Sequence, residues 1–159
     1  MALFCEILPS HRFVYAIGDG SVNFEDLMAH FEALAGDSRY QAPMVKLVRY
    51  LSPNVVNLNA TETRTLARRK SNFQEKFAGE RCAVVALSDL DFGIARSHEG
   101  YKDNDGIEFY AFRNVPAALQ WLQIDPTDEV FATWFEEIEH RIQTGRIEWH
   151  HPPAPPSDS

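Results

Sequence analysis

The stretch Cys82-Ala83-Val84-Val85-Ala86-Leu87-Ser88-Asp89-Leu90-Asp91-Phe92-Gly93-Ile94-Ala95-Arg96 joins the most continuously apolar run of the chain to a helix signal. Six successive residues without a charge, Cys82 to Leu87, do not alternate between a wet and a dry face. Such a run suits a strand buried on both sides, in a sheet covered by helices. Ser88 then stands where a helix N-cap belongs, with Asp91 three positions on, and Leu90, Phe92, Ile94 and Ala95 supply the apolar positions of the helix.

Working outward, residues 44–51 (Met-Val-Lys-Leu-Val-Arg-Tyr-Leu) read as a preceding strand. Asn59 with Glu62 opens a helix that the pattern carries to about Phe77. Before these, the β-prone runs 3–8 and 12–17 flank Pro9-Ser10-His11 as a hairpin. Asn23 with Asp26 caps a helix whose stripe is Phe24, Leu27, Met28, Phe31 and Leu34, ending at Gly36. Downstream, a polar loop at 102–106 leads to strand 107–112, and Asn114 caps a short helix bearing Leu119, Trp121 and Leu122. The order β-β-α-β-α-β-α-β-α predicts an α/β fold: a mixed sheet of about five strands, an N-terminal hairpin first, with helices packed on it. Asp125-Pro126 is expected to open one more helix to about Thr144, with Val130, Phe131, Trp134, Phe135, Ile138 and Ile142 on one face. Residues 1–124 thus form the domain, 125–145 an appended amphipathic helix, and 146–159 a proline-rich tail expected to be disordered.

Composition narrows the function classes. The 159 residues carry 15 Lys+Arg against 23 Asp+Glu, a net charge of −8. Clustered positive charge, the common requirement of nucleic-acid and anionic-membrane binding, is lacking overall. Residues 125–159 hold eight acids against Arg141 and Arg146, so −6 of the charge lies there and the first 124 residues are near neutral. The longest apolar run falls far short of the roughly 18 residues of a membrane span, and no secretory leader is expected from the N-terminal text. Two cysteines, Cys5 and Cys82, both in strand-like text, are expected as reduced packing thiols of a cytoplasmic protein.

Motifs of catalysis are missing from the text. The histidines show no i, i+4 pair, there is no Cys-x-x-Cys, and the tail pair His150-His151 has no fixed third ligand, so no metal is expected. There is no Gly-x-Ser-x-Gly, and Gly18-Asp19-Gly20 fits neither a dinucleotide fingerprint nor a Walker loop, so no cofactor is expected. Two places remain. Ser88, Asp89, Phe92 and Arg96 lie where a buried strand ends and a helix begins, the location at which open α/β sheets bind ligands. Asn59 and Thr61 enter the helix that carries Arg64 and Arg68, a place where a phosphate on Thr61 would find basic partners.

These segments, in this order, resemble the SpoIIAA-like family of bacterial proteins, related in fold to STAS domains and grouped with CRAL-TRIO lipid-binding folds. The resemblance rests on Val84-Val85-Ala86-Leu87-Ser88-Asp89 with Phe92-Gly93-Ile94-Ala95-Arg96, on Asn23-Phe24-Glu25-Asp26-Leu27, and on Phe112-Arg113-Asn114-Val115-Pro116-Ala117-Ala118-Leu119-Gln120-Trp121-Leu122. Two departures bear on function. Where the family shows Asp-Leu-Arg at the end of the third strand, this chain has Leu47-Val48-Arg49. The Asp-Ser-Ser-Gly-like phosphorylation motif of STAS regulators is replaced by Asn59-Ala60-Thr61, so the resemblance implies no phosphoswitch. It implies instead a non-catalytic regulatory or protein-interaction module. Phe131, Trp134, Phe135 and Ile138 are then the expected interface to a protein partner or a second copy. The alternative implied by the CRAL-TRIO grouping is a carrier or sensor of a small apolar ligand or lipid, its pocket lined by Phe92, Phe109, Trp121 and the last helix.

Overall fold

A computed structural model describes residues 3–73, 75–99 and 107–149. Strands β1 (Leu3–Leu8), β2 (Phe13–Gly18), β3 (Val45–Tyr50), β4 (Arg81–Val85) and β5 (Glu108–Phe112) form one sheet in chain order. The hairpin pair β1·β2 is antiparallel and every later pair is parallel. The connecting helices α1 (Phe24–Ala35), α2 (Ala60–Ser71) and α3 (Asp89–Glu99) are crossovers that all step in the same direction. Crossovers of one hand with one sense of advance place their helices on one face. Leu27 of α1 and Phe92 and Ile94 of α3 accordingly pack on Ala16, Val48, Tyr50 and Val84 of that face.

The other face is covered by α4 (Val115–Trp121) and α5 (Glu129–Gln143), whose residues join Phe13, Tyr15, Ile17, Leu47, Ala83 and Val85 in a second core cluster. Strand parity sorts the sheet: odd-numbered residues of β2 and β3 face α4 and α5, even-numbered ones face α1–α3. The helix expected to begin at Asp125-Pro126 starts three residues later. Asp125 Oδ1 accepts from Thr127 N at 2.9 Å and Thr127 Oγ1 at 2.7 Å, closing a turn, and Asp128 becomes the N-cap through Phe131 N at 2.9 Å. Helix α2 ends at Ser71 rather than near Phe77, and the chain turns so that Phe73 and Phe77 close the core edge-on, 6.0 Å between ring centroids.

The last helix is no appendage. Phe131 and Ile138 are buried at 1% and 0% exposure. The Phe131 ring meets Phe13 edge-on at 5.1 Å, and Phe135 stacks on Tyr15 at 4.8 Å. Three polar ties fasten the helix along its length. His11 Nε2 meets Asp128 at 2.7 Å, Arg49 Nη1 meets Glu139 at 2.6 Å, and Arg141 meets Glu6 at 3.4 Å. Tyr15 Oη also donates to Glu139 at 2.7 Å. The side chains expected as an interface therefore serve this chain's own sheet: a sheet with two apolar faces needs a second cover, and α4 alone spans only the β3–β5 half.

Candidate functional site

The structure sorts the sequence-derived candidates into two groups. Arg49 lies on the α5 side, where it bonds Tyr15 Oη at 3.2 Å and pairs with Glu139, so it joins helix to sheet. Asn59, Thr61, Ser88 and Asp89 gather on the α1–α3 side, at the carboxyl ends of the parallel strands. Asn59 closes a capping box with Glu62, and Thr61 is exposed in the first turn of α2. Ser88 Oγ accepts from Asp91 N at 3.1 Å and caps α3. Asp89 pairs with Arg113 at 2.8 Å, and the Arg113 guanidinium lies 4.1 Å from the centroid of the Phe92 ring. Arg96 sits farther along α3, 5.9 Å from the same ring. The loop 102–106 and the pair His150-His151 lie outside the described residues.

Between the helix N-termini of α2 and α3 is a surface depression of about 290 Å3, lined by Asn59, Ala60, Thr63, Asp89, Leu90 and Gly93, together with Leu58 and Ile94. Leu58, Thr63 and Ile94 also line a deeper cavity of about 70 Å3 between the sheet and α1–α3. The depression and the cavity thus adjoin across Leu58, Thr63 and Ile94. Leu27, Phe31, Val48, Leu66, Val84 and Phe109 give the cavity an apolar wall. It runs beside β3 from Tyr50 at the strand's end to Lys46 near its start, a span of roughly 13 Å for four residues of strand. Of the aromatic residues expected to line the pocket, Phe109 borders the cavity, while Phe92 is on this side of the sheet but outside the lining. Trp121 is on the other side: it packs on Tyr110 and Phe112 across the sheet, and α5 is there too, so neither lines this pocket. The correction follows from parity, because Phe109 and Tyr110 point to opposite faces.

The inner end of the cavity is charged. Lys46, Lys70 and Glu80 are 1%, 5% and 0% exposed. Lys70 Nζ is paired with the Glu80 carboxylate, which also accepts from Tyr40 Oη. Lys46 Nζ lies 2.6 Å from His30 Nε2. Both ammonium nitrogens sit 5.2 Å from the centroid of the Phe31 ring. Burial pushes the Lys46 amine below the ordinary lysine range, and Lys70 beside it pushes it further. Burial alone would raise Glu80, but Lys70 and Lys46 overcome that and hold its carboxyl below the usual range. Tyr40 is pushed up by burial and by the Glu80 charge, and burial raises the thiol of Cys82, which is the register partner of Lys46.

Asp91 does different work from that expected of it. Its carboxylate does not reach back to the cap but accepts from Val55 N at 2.8 Å and Val56 N at 3.0 Å, holding the β3–α2 loop over the cavity's outer end. Gly18 protects the same end from the neighbouring strand: a Cβ there would lie 2.9 Å from Cδ1 of Tyr50, a ring of the cavity wall. Lys46, Lys70, Glu80 and His30 were not among the sequence candidates. Strand parity held the signal, because Lys46 shares a face with Val48 and Tyr50 in a strand covered on both sides.

Among the described residues, no group of three or more His, Cys, Asp or Glu side chains is placed to hold a metal ion, and no helix is long and apolar enough to cross a membrane. No family model, no curated protein and no solved structure matches the chain.

Proposed function

We propose that this chain binds a small apolar ligand in the cavity between its sheet and α1–α3, as a carrier or sensor. The observation that carries the reading is a narrow apolar cavity lined by two buried lysines and adjoining a surface depression at the carboxyl ends of the strands. Buried charges lower stability unless they are fully paired, so two lysines on one cavity wall are a costly way to build a core. A site that orients a ligand by a few polar groups inside apolar walls has the chemistry seen here. The protein-interaction reading drew on the family resemblance, on the absence of catalytic motifs and on the aromatic last helix, and the last of these grounds is weakened because that helix packs on the chain's own sheet. The element order supports the SpoIIAA-like, STAS-related reading of the fold, and the free thiols Cys5 and Cys82 are in keeping with a cytoplasmic setting.

The test is a titration with 1-hexanol followed by methyl NMR. Saturable shifts are expected at Leu27, Leu58, Leu66 and Ile94, with Leu119 and Ile138 across the sheet unmoved. Ala95→Leu, which fills the cavity from α3, should abolish them. Shifts that never saturate, or that spread equally over both faces, overturn the reading.

A further inference from the structure

The two lysines of the cavity are held differently, and the difference has chemical content. Lys70 is given a carboxylate, Glu80. Lys46 is given an imidazole: its Nζ is 2.6 Å from His30 Nε2, a group that can accept a proton and return it. Both nitrogens lie 5.2 Å from the centroid of the Phe31 ring, and both side chains line one apolar cavity. Resting on the cavity's role as a ligand site, we propose that Lys46 is a nucleophilic amine that captures a small apolar aldehyde or ketone there as an imine.

An amine attacks a carbonyl only when its lone pair is free, and two features of the cavity favour the uncharged form. Burial removes the water that would solvate an ammonium, and Lys70 adds like-charge repulsion; together they outweigh the Glu80 carboxylate, which favours the charged form. In the capture step the Lys46 nitrogen pair forms a bond to the carbonyl carbon while the carbonyl π pair moves to oxygen. Nζ sheds a proton to His30 Nε2, and the oxygen takes up a proton to give the carbinolamine. The hydroxyl then leaves as water with the proton that His30 returns, and the second amine hydrogen is released as the C=N bond closes. Amine and carbonyl become imine and water, with no electron acceptor or donor required. His30 also lines a separate groove of about 390 Å3 between β1 and α1, so protons reach it from outside without crossing the cavity. In this proposal the carbonyl compound enters from the opposite end, where the depression between α2 and α3 shares Leu58, Thr63 and Ile94 with the cavity.

The chain has four lysines, Lys46, Lys70, Lys76 and Lys102, which makes the test direct. The full-length protein is incubated at neutral pH with hexanal and cyanoborohydride, which reduces an imine to a stable amine, and the alkylated residues are mapped by peptide mass spectrometry. A hexyl group on Lys46, formed in preference to one on Lys76 or Lys102, is expected, since a lowered pKa leaves more free amine at a fixed pH. Lys46→Met should lose that adduct. Hexyl groups on Lys76, Lys102 or the terminal amine with Lys46 untouched overturn the proposal, as does an adduct on Lys70 in its place. Hexanal that displaces 1-hexanol without alkylating Lys46 overturns the nucleophile and leaves the ligand site standing. If hexanal neither binds nor reacts and 1-hexanol gives no shifts, both fall.

Discussion

Glu80→Gln tests the charged end of the cavity at its most constrained point. The Glu80 carboxylate is 0% exposed and serves Lys70 and Tyr40 at once, with Lys46 near enough to help hold it ionised. Glutamine keeps the shape and an acceptor for the Tyr40 hydroxyl but removes the negative charge paired with Lys70. Removing one partner of a buried pair strands the other charge, which costs about 3–5 kcal/mol. For a chain of this length that corresponds to a melting temperature lower by about 6–20 °C. Urea denaturation at pH 7 reads the free energy, and an unchanged slope with denaturant shows that the folded state is otherwise preserved. The double variant Lys70→Met/Glu80→Gln removes both charges and should recover most of the loss, because no stranded ammonium remains. A single variant that costs under about 1 kcal/mol, or a double variant whose losses simply add, refutes the reasoning.

The remaining predictions concern the cover helix, the loop and the pH response. Phe131→Ala opens a space against Phe13 and Phe135 and should cost about 3–5 kcal/mol in urea titration, whereas an appended helix would lose little. Asp91→Ala leaves the buried amides of Val55 and Val56 without acceptors, costing about 2–3 kcal/mol, with faster hydrogen exchange at those two amides as the local signature. Glu80 has a lowered folded pKa, so its contribution is present above the ordinary carboxylate range and is lost as pH falls through the folded value; Glu80→Gln should flatten that acid limb. Lys46 has a lowered folded pKa as well, but as a base. Between its folded and ordinary values the unfolded state binds more protons, so stability should rise with pH there, and Lys46→Met should remove the rise. Cys82, buried and with its thiol pushed up, should resist a disulfide reagent at pH 8 until the protein is unfolded.

The fold was legible where local chemistry and periodicity agreed. The run 82–87 announced a doubly covered strand, and the Asn23, Asn59 and Asn114 caps marked their helices to the residue. The start of α5 was misplaced because Asp125 and Thr127 close a turn that a proline in a first-turn position does not reveal. The role of α5 was hidden for another reason: an amphipathic stripe looks the same whether it covers a partner or its own sheet, and only topology says which face α1–α3 leave bare. The surface depression beside Asn59 and Asp89 lies where open α/β sheets form a crevice, at the carboxyl ends of the parallel strands. The inner end could not be read from spacing. Lys46, Lys70, Glu80 and His30 come from a strand, a helix, a turn and another helix, and they meet only when the crossovers stack. Parity in β3 marked Lys46 as buried, but nothing in the text named its partners.

A crystal of the protein pressurised with xenon puts the central claim, an accessible apolar cavity on the α1–α3 side, to its most direct test, since xenon occupies apolar cavities whatever ligand they serve. A xenon site bounded by Phe31, Leu66, Val84 and Ile94 is the result this account requires. Xenon bound only elsewhere, with those side chains closed on one another, would contradict it.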